Sequence, residues 1–392
     1  MHSTVESHLD SRRSWLIAVA TFASTFAVFG VAYSFGAFFD PMAEEFDAGS
    51  GETALFFSLT TFLYFMLGLV TGRWSDHVGP RPVLVTGAAA MLAGLWITSV
   101  ANSLWLGIGA YSLGVGIAVA CGYVPMVALV GSWFERQRTL ALGVAVAGIG
   151  FGTLVVAPLS SWLIEAYEWR TAYRVLAVGA TLILVACALV ATRPPRPATA
   201  VALIPLREVA GTTAFRSLYG SAMLMSLSLF VPFVFLVDYA ERFGIDPGPA
   251  AVLVGLIGGS SIVGRLALGT LAPRVGLIRL YQGCFAVMGA SFVIWLVADG
   301  RYVLLLLFAV VLGVAYGGFI ALSPAVAADA FGTEGLGGVL GALYTAAGVG
   351  GLLGPPIAGA VIDRTDGYTT VIVGAMLLTF AAFVALLALP RR

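Results

Sequence analysis

Arg265 is the residue whose type and setting most directly offer chemistry. It lies in an apolar, glycine-rich stretch, Val252-Leu253-Val254-Gly255-Leu256-Ile257-Gly258-Gly259-Ser260-Ser261-Ile262-Val263-Gly264-Arg265-Leu266-Ala267-Leu268-Gly269, long enough to cross a bilayer. A cation inside such a helix costs roughly 2.5–3.5 kcal/mol on insertion scales, so it needs a partner and is a functional candidate by default. No acidic residue lies one turn away; four positions back is Ser261, three back is Ile262. The partner is a water-filled cavity, a distant side chain or an anion that comes and goes. Tyr123 (before Pro125), Tyr316 (in Gly313-Val314-Ala315-Tyr316-Gly317-Gly318) and Tyr344 each carry a hydroxyl that either bonds a substrate oxygen or packs against backbone. Phe235 is a candidate apolar wall, and Asp238, near a helix end, a candidate proton carrier.

The elements that must position these residues are membrane helices. The chain is 60% hydrophobic and 10% charged, with mean hydropathy +0.99, whereas a soluble domain carries about 25% charged residues. Apolar runs predict twelve helices, at 14–39, 52–71, 82–101, 103–131, 139–165, 171–192, 217–240, 250–272, 279–298, 303–327, 336–362 and 368–389, each near the roughly 20 residues a span requires. The polar first 13 residues do not resemble a cleavable signal. All 20 basic residues are arginine. With both ends inside, Arg12, Arg13, Arg73, Arg81, Arg136, Arg138, Arg193, Arg196, Arg207, Arg216, Arg274, Arg279, Arg391 and Arg392 lie on the cytoplasmic side. Only Arg170, Arg174, Arg242, Arg301 and Arg364 lie outside, as the positive-inside rule asks. Cys121, Cys187 and Cys284 fall within helices and read as packing residues. His2, His8 and His77 lie in the tail and a loop, and no metal cluster, phosphate loop or nucleophile motif is present. These absences argue against an enzyme, a cofactor, a metal or a nucleic-acid partner.

A proline-rich segment, Arg193-Pro194-Pro195-Arg196-Pro197, opens the longest polar connection, to Arg216. It divides the chain into an N-terminal six-helix half (1–192), a cytoplasmic linker (193–216) and a C-terminal six-helix half (217–392). Two echoes link the halves. Gly72-Arg73-Trp74-Ser75-Asp76-His77-Val78-Gly79 parallels Gly269-Thr270-Leu271-Ala272-Pro273-Arg274-Val275-Gly276, and Ala147-Gly148-Ile149-Gly150 parallels Ala347-Gly348-Val349-Gly350. Duplicated halves place a substrate site at the midplane between them.

Gly72-x-x-x-Asp76-x-x-Gly79-x-Arg81 resembles the loop 2–3 motif of the major facilitator superfamily, although His77 and Pro82 stand where basic residues are usual. The resemblance implies an all-α fold of two pseudo-symmetric six-helix halves, with Gly72, Asp76, Gly79 and Arg81 in a cytoplasmic gate. Three further stretches resemble the monocarboxylate porter branch, which includes bacterial lactate transporters and oxalate exchangers. They are Gly30-Val31-Ala32-Tyr33-Ser34-Phe35-Gly36-Ala37-Phe38-Phe39, the run from Trp133 to Gly148, and Glu168-Trp169-Arg170-Thr171-Ala172-Tyr173. Arg265 falls where the branch keeps its substrate arginine. The chain departs from the branch at Ser261, where an acidic proton carrier is frequent, and in having no lysine.

One unpaired intramembrane cation balances one carboxylate, because a dianion leaves a charge uncompensated in low dielectric. The fork of arginine suits a bidentate carboxylate. The expectation is therefore a functional monomer in the cytoplasmic membrane that moves a small monocarboxylate, such as lactate or pyruvate, by alternating access, with a proton as co-substrate. Arg265, Tyr123, Tyr316, Tyr344, Ser261 and Phe235 would form its site, and Asp238 would carry the proton. Anion exchange and proton-coupled export of drugs or metabolites are the alternatives. Against export, helix 4 has no arginine and helix 5 reads Ala157-Pro158-Leu159-Ser160 where exporters carry Gly-Pro.

Overall fold

A computed structural model describes residues 10–134, 137–193, 209–331 and 336–389, and these are helical with short turns. Twelve helical spans among them are long and apolar enough to cross a membrane. They are α1 (Arg12–Tyr33, continued by a 3-10 turn Phe35–Phe38 and by Phe39–Phe46), α2 (Leu55–Val78), α3 (Pro80–Ser99), α4 (Leu104–Gly122 and Val124–Trp133), α5 (Arg138–Tyr167) and α6 (Trp169–Val190). The second set is α7 (Thr213–Leu229 and Val231–Arg242), α8 (Pro247–Val275), α9 (Leu277–Leu296), α10 (Tyr302–Phe331), α11 (Leu336–Thr365) and α12 (Thr369–Leu386). The start of α1 and the end of α12 share one face of the bundle, here called proximal; the other face is distal.

The packing repeats with a shift of six helices. Within the first half α1 packs on α5 and α6, α4 on α2 and α3, and α3 on α6. Within the second, α7 packs on α11 and α12, α10 on α8 and α9, and α9 on α12. The halves meet along α5–α8 and α2–α11, a pair of contacts that the same shift exchanges. The first echo takes equivalent places. Gly79 and Gly276 end α2 and α8 at φ 97° and 98°, each amide donating to the carbonyl four residues back. Such a φ is open to glycine at little strain.

The structure corrects several boundaries. Gly72 to Val78 and Pro273 to Val275 were expected beyond the helix ends; they are the last turns of α2 and α8, which run on to Gly79 and Gly276. α7 begins at Thr213, whose preceding residue Thr212 caps the Phe215 amide, so the connection ends earlier than 216. Most of that connection (194–208) lies outside the described residues. Two of the spans expected as continuous are broken ahead of a proline, α4 at Tyr123 and α7 at Phe230. Each break stands two residues before a proline, Pro125 or Pro232. Proline lacks the N–H that would continue the ladder, and its ring clashes with the carbonyl four residues back. Each interruption turns an aromatic side chain toward the centre of the bundle.

Candidate functional site

At the distal face the halves are joined. The Ser50 and Gly51 amides donate to the two carboxylate oxygens of Asp363 on α11, at 3.0 and 3.2 Å. Tyr33 packs on Phe233 with ring centroids 4.7 Å apart, and Phe39 meets Phe235 edge-on at 5.1 Å. Asp238, 3% exposed, accepts from Arg242 Nε at 2.9 Å and from the Tyr368 hydroxyl. Arg242 also lies over the Tyr368 ring, 5.2 Å from its centroid.

On the proximal side of this seal lies a central, partly open cavity of about 80 Å³. One end carries tyrosines from both halves: Tyr33, Tyr64, Tyr123 and Tyr316. The Tyr33 and Tyr316 hydroxyls stand 3.4 Å apart and bridge α1 to α10. Phe65, Phe319, Met225 and Ile320 form apolar walls, with Tyr344 stacked at a tilt 6.0 Å from Phe65. Tyr123 and Phe230, the residues at the two helix breaks, both line the cavity.

Arg265 stands behind the tyrosine end. Its position is set by two close helix crossings. Gly264 and Gly317 bring α8 against α10 so tightly that a Cβ on Gly317 would run into the Ser261 carbonyl. Gly150 lets α5 approach Gly258 of α8. Close approach through small residues is how membrane helices gain packing without a hydrophobic driving force. Arg265 consequently reaches α5 and donates Nη1 to the Val146 carbonyl at 2.6 Å. The side chain is 8% exposed, and its buried Nε and Nη2 have no hydrogen-bond partner. Its nearest electrostatic neighbours are Tyr316, Tyr123 and Tyr33. A guanidinium with one donor held and two buried donors idle has unused capacity for an anion.

The structure gathers Tyr123, Tyr316 and Tyr344 around one cavity and puts Arg265 against its polar end. It places two expected site residues elsewhere. Ser261 is fully buried in the α8–α10 contact, and its hydroxyl donates to the Gly258 carbonyl at 2.7 Å, so it does not line the cavity. Phe235 is buried in the distal seal against Phe39, because the break at Phe230 rotates the second part of α7; Met225, Ser226, Leu229 and Phe230 are the residues of that helix that wall the cavity. Asp238 belongs to the seal, away from Arg265. Of the gate motif, Gly72 lies inside α2, and Arg81 bonds the Ala191 and Leu189 carbonyls at 3.0 and 3.1 Å, tying the turn to the end of α6 within its own half. The side chain of Asp76 is outside the described residues. Sequence reasoning missed Tyr33, Tyr64, Phe65 and Phe230 as lining residues. Phe230 carried a usable signal, an aromatic two residues before a proline in an apolar span, as Tyr123 does.

The family model of the Major Facilitator Superfamily matches residues 20–300 and 218–392, and the chain belongs to that superfamily. It is a multi-pass membrane transporter rather than an enzyme, and it is of the monocarboxylate-transporter type. "Monocarboxylate transporter 13" of Rattus norvegicus is 32% identical over 94% of this chain and 87% of that protein. "MFS-type transporter pynF" of Aspergillus niger is 28% identical over 92% of this chain and 84% of its own length. A solved bacterial homologue of the human lysosomal transporter Spinster superposes with TM-score 0.78 at 14% identity, covering 97% of this chain and 98% of that one, a likeness of fold.

Proposed function

We propose that this protein carries a monocarboxylate across the cytoplasmic membrane by alternating access, with its proximal face and both termini inside and a proton as co-substrate. The observation that carries the reading is the pair of idle, buried donors on Arg265 where α8 meets α5 of the other half. A carboxylate meeting Nε and Nη2 would form two charge-assisted hydrogen bonds in parallel. It would also draw the Tyr33–Tyr316 pair apart or replace it, and that pair joins the two halves. Substrate binding is thereby coupled to the contact that rocking must remake. Relatives named monocarboxylate transporters support the same chemistry, and the excess of arginine on the proximal side supports the orientation.

For the proton, the reading takes Asp238. Both of its oxygens are engaged, by Arg242 and Tyr368, with Asp40 and Asp363 close by. Protonation would weaken the Arg242 contact and loosen the distal seal, linking proton binding to opening. Gly72, Asp76, Gly79 and Arg81 are taken as the proximal gate, closing when the distal face opens. The two six-helix halves move as units about the linker, and one chain suffices for function.

Uptake of labelled lactate and pyruvate into proteoliposomes, with and without an inward proton gradient, tests the proposal on the wild type and Arg265→Ala. Gradient-driven uptake lost in the variant is the expected result. Uptake that requires preloaded anion would replace symport by exchange. Full activity in Arg265→Ala would overturn the assignment of the site.

A further inference from the structure

The cavity beside Arg265 has a chemistry of its own. Nine of its sixteen lining side chains are aromatic, only Ser226 and Ser323 add a hydroxyl that is not phenolic, and none is charged. The polar and apolar features are segregated. Tyr33, Tyr123 and Tyr316 stand at the end next to Arg265, while Phe65 and Phe319 wall the body. Those walls are held in place: Phe65 packs on Tyr64 and Tyr344, and Phe319 on Tyr281 and Phe285. A two- or three-carbon acid at Arg265 would leave the rings of Phe65 and Phe319 facing water, which they cannot hydrogen-bond, whereas ordered water needs polar partners. Fixed aromatic faces and edges favour stacking with another ring.

We infer that the preferred substrate is an amphipathic monocarboxylate with an aromatic body, its carboxylate toward Arg265 and its ring between Phe65 and Phe319. This inference rests on the carboxylate reading above and goes further by assigning the body of the molecule. It also departs from the expectation of a short acid such as lactate: Arg265 selects the head group, and the cavity walls select size and shape.

The test uses the full chain in proteoliposomes under a proton gradient, with labelled 3-phenylpropionate, labelled lactate and neutral 3-phenylpropanamide. The expected result is uptake of 3-phenylpropionate, competition against lactate uptake at a concentration about tenfold lower than unlabelled lactate requires, and no uptake of the amide. Lactate uptake with neither transport of nor competition by 3-phenylpropionate would overturn the aromatic assignment and leave the carboxylate reading standing. Equal uptake of the amide and the acid, unchanged in Arg265→Ala, would overturn the carboxylate reading instead. No uptake of any of the three by wild-type protein that is folded by thermal unfolding, whether under the gradient or against preloaded anion, would overturn both. Ala347→Phe, which adds a ring to the cavity wall, localises the effect. The ratio of 3-phenylpropionate to lactate uptake is expected to fall about tenfold or more, and an unchanged ratio would show that the ring is seated elsewhere.

Discussion

Two buried charges in this molecule have opposite surroundings. Asp238 at the distal seal has an arginine on one oxygen and a tyrosine hydroxyl on the other. Arg265 at the centre has one backbone carbonyl and two donors with nothing to hold. Burial by itself therefore does not mark a binding residue. A satisfied charge contributes to holding two elements together. A charge buried with donors to spare is a site waiting for its partner, because leaving such groups unpaired costs free energy that only a visiting ligand recovers.

The largest expected effect is at the unsatisfied member. Arg265→Ala removes about two charge-assisted hydrogen bonds worth roughly 1.5–3 kcal/mol each, so carboxylate uptake should fall by on the order of 100-fold or more. Arg265→Met should show the same loss with an unchanged or raised thermal unfolding midpoint in detergent, since the cost of burying a cation with two idle donors outweighs its one bond to the Val146 carbonyl. A large fall in that midpoint would erase the contrast with Asp238.

At the satisfied member the order reverses. Asp238→Ala strands the Tyr368 hydroxyl and frees Arg242, an expected loss of about 1–3 kcal/mol of stability, read as a lower unfolding midpoint. Gradient-driven accumulation should fall with it, while Asp238→Asn separates charge from packing. A stable Asp238→Asn variant that still accumulates substrate under a gradient would remove this residue from the proton path.

Gly317→Ala sharpens the comparison from a third side. The added methyl meets the Ser261 carbonyl and should overpack the α8–α10 crossing by about 1–3 kcal/mol. Uptake should suffer through displacement of Arg265 relative to Tyr316, with the Asp238 cluster untouched. The smallest effect is expected for Tyr316→Phe, which removes the long 3.4 Å bond to Tyr33, worth about 0.5–1.5 kcal/mol. A KM shift of a few-fold up to about tenfold in transport assays is the expected size; a loss as deep as that of Arg265→Ala would make the tyrosine pair an equal partner in binding.

The chain alone determined a great deal about the class of molecule. Twelve spans, an all-helical fold and a repeated six-helix plan follow from hydropathy, charge placement and two glycine echoes. These are one-dimensional properties: insertion depends on runs of about 20 apolar residues, and a duplicated segment keeps its spacing along the chain. Arg265 was conspicuous for the same reason, since a cation in an apolar run needs no neighbours to be noticed. Facing is another matter. α8 has almost no amphipathic asymmetry, so nothing along it indicated that Ser261 turns into the α10 contact while Arg265, one turn on, crosses to Val146 of α5. The helix breaks before Pro125 and Pro232, which aim Tyr123 at the cavity and send Phe235 to the seal, alter rotation about an axis and leave hydropathy unchanged. The bond between Tyr33 and Tyr316 joins residues 283 positions apart. In a membrane interior, where every side of a helix is apolar, only the packing of one helix on another decides which residues meet.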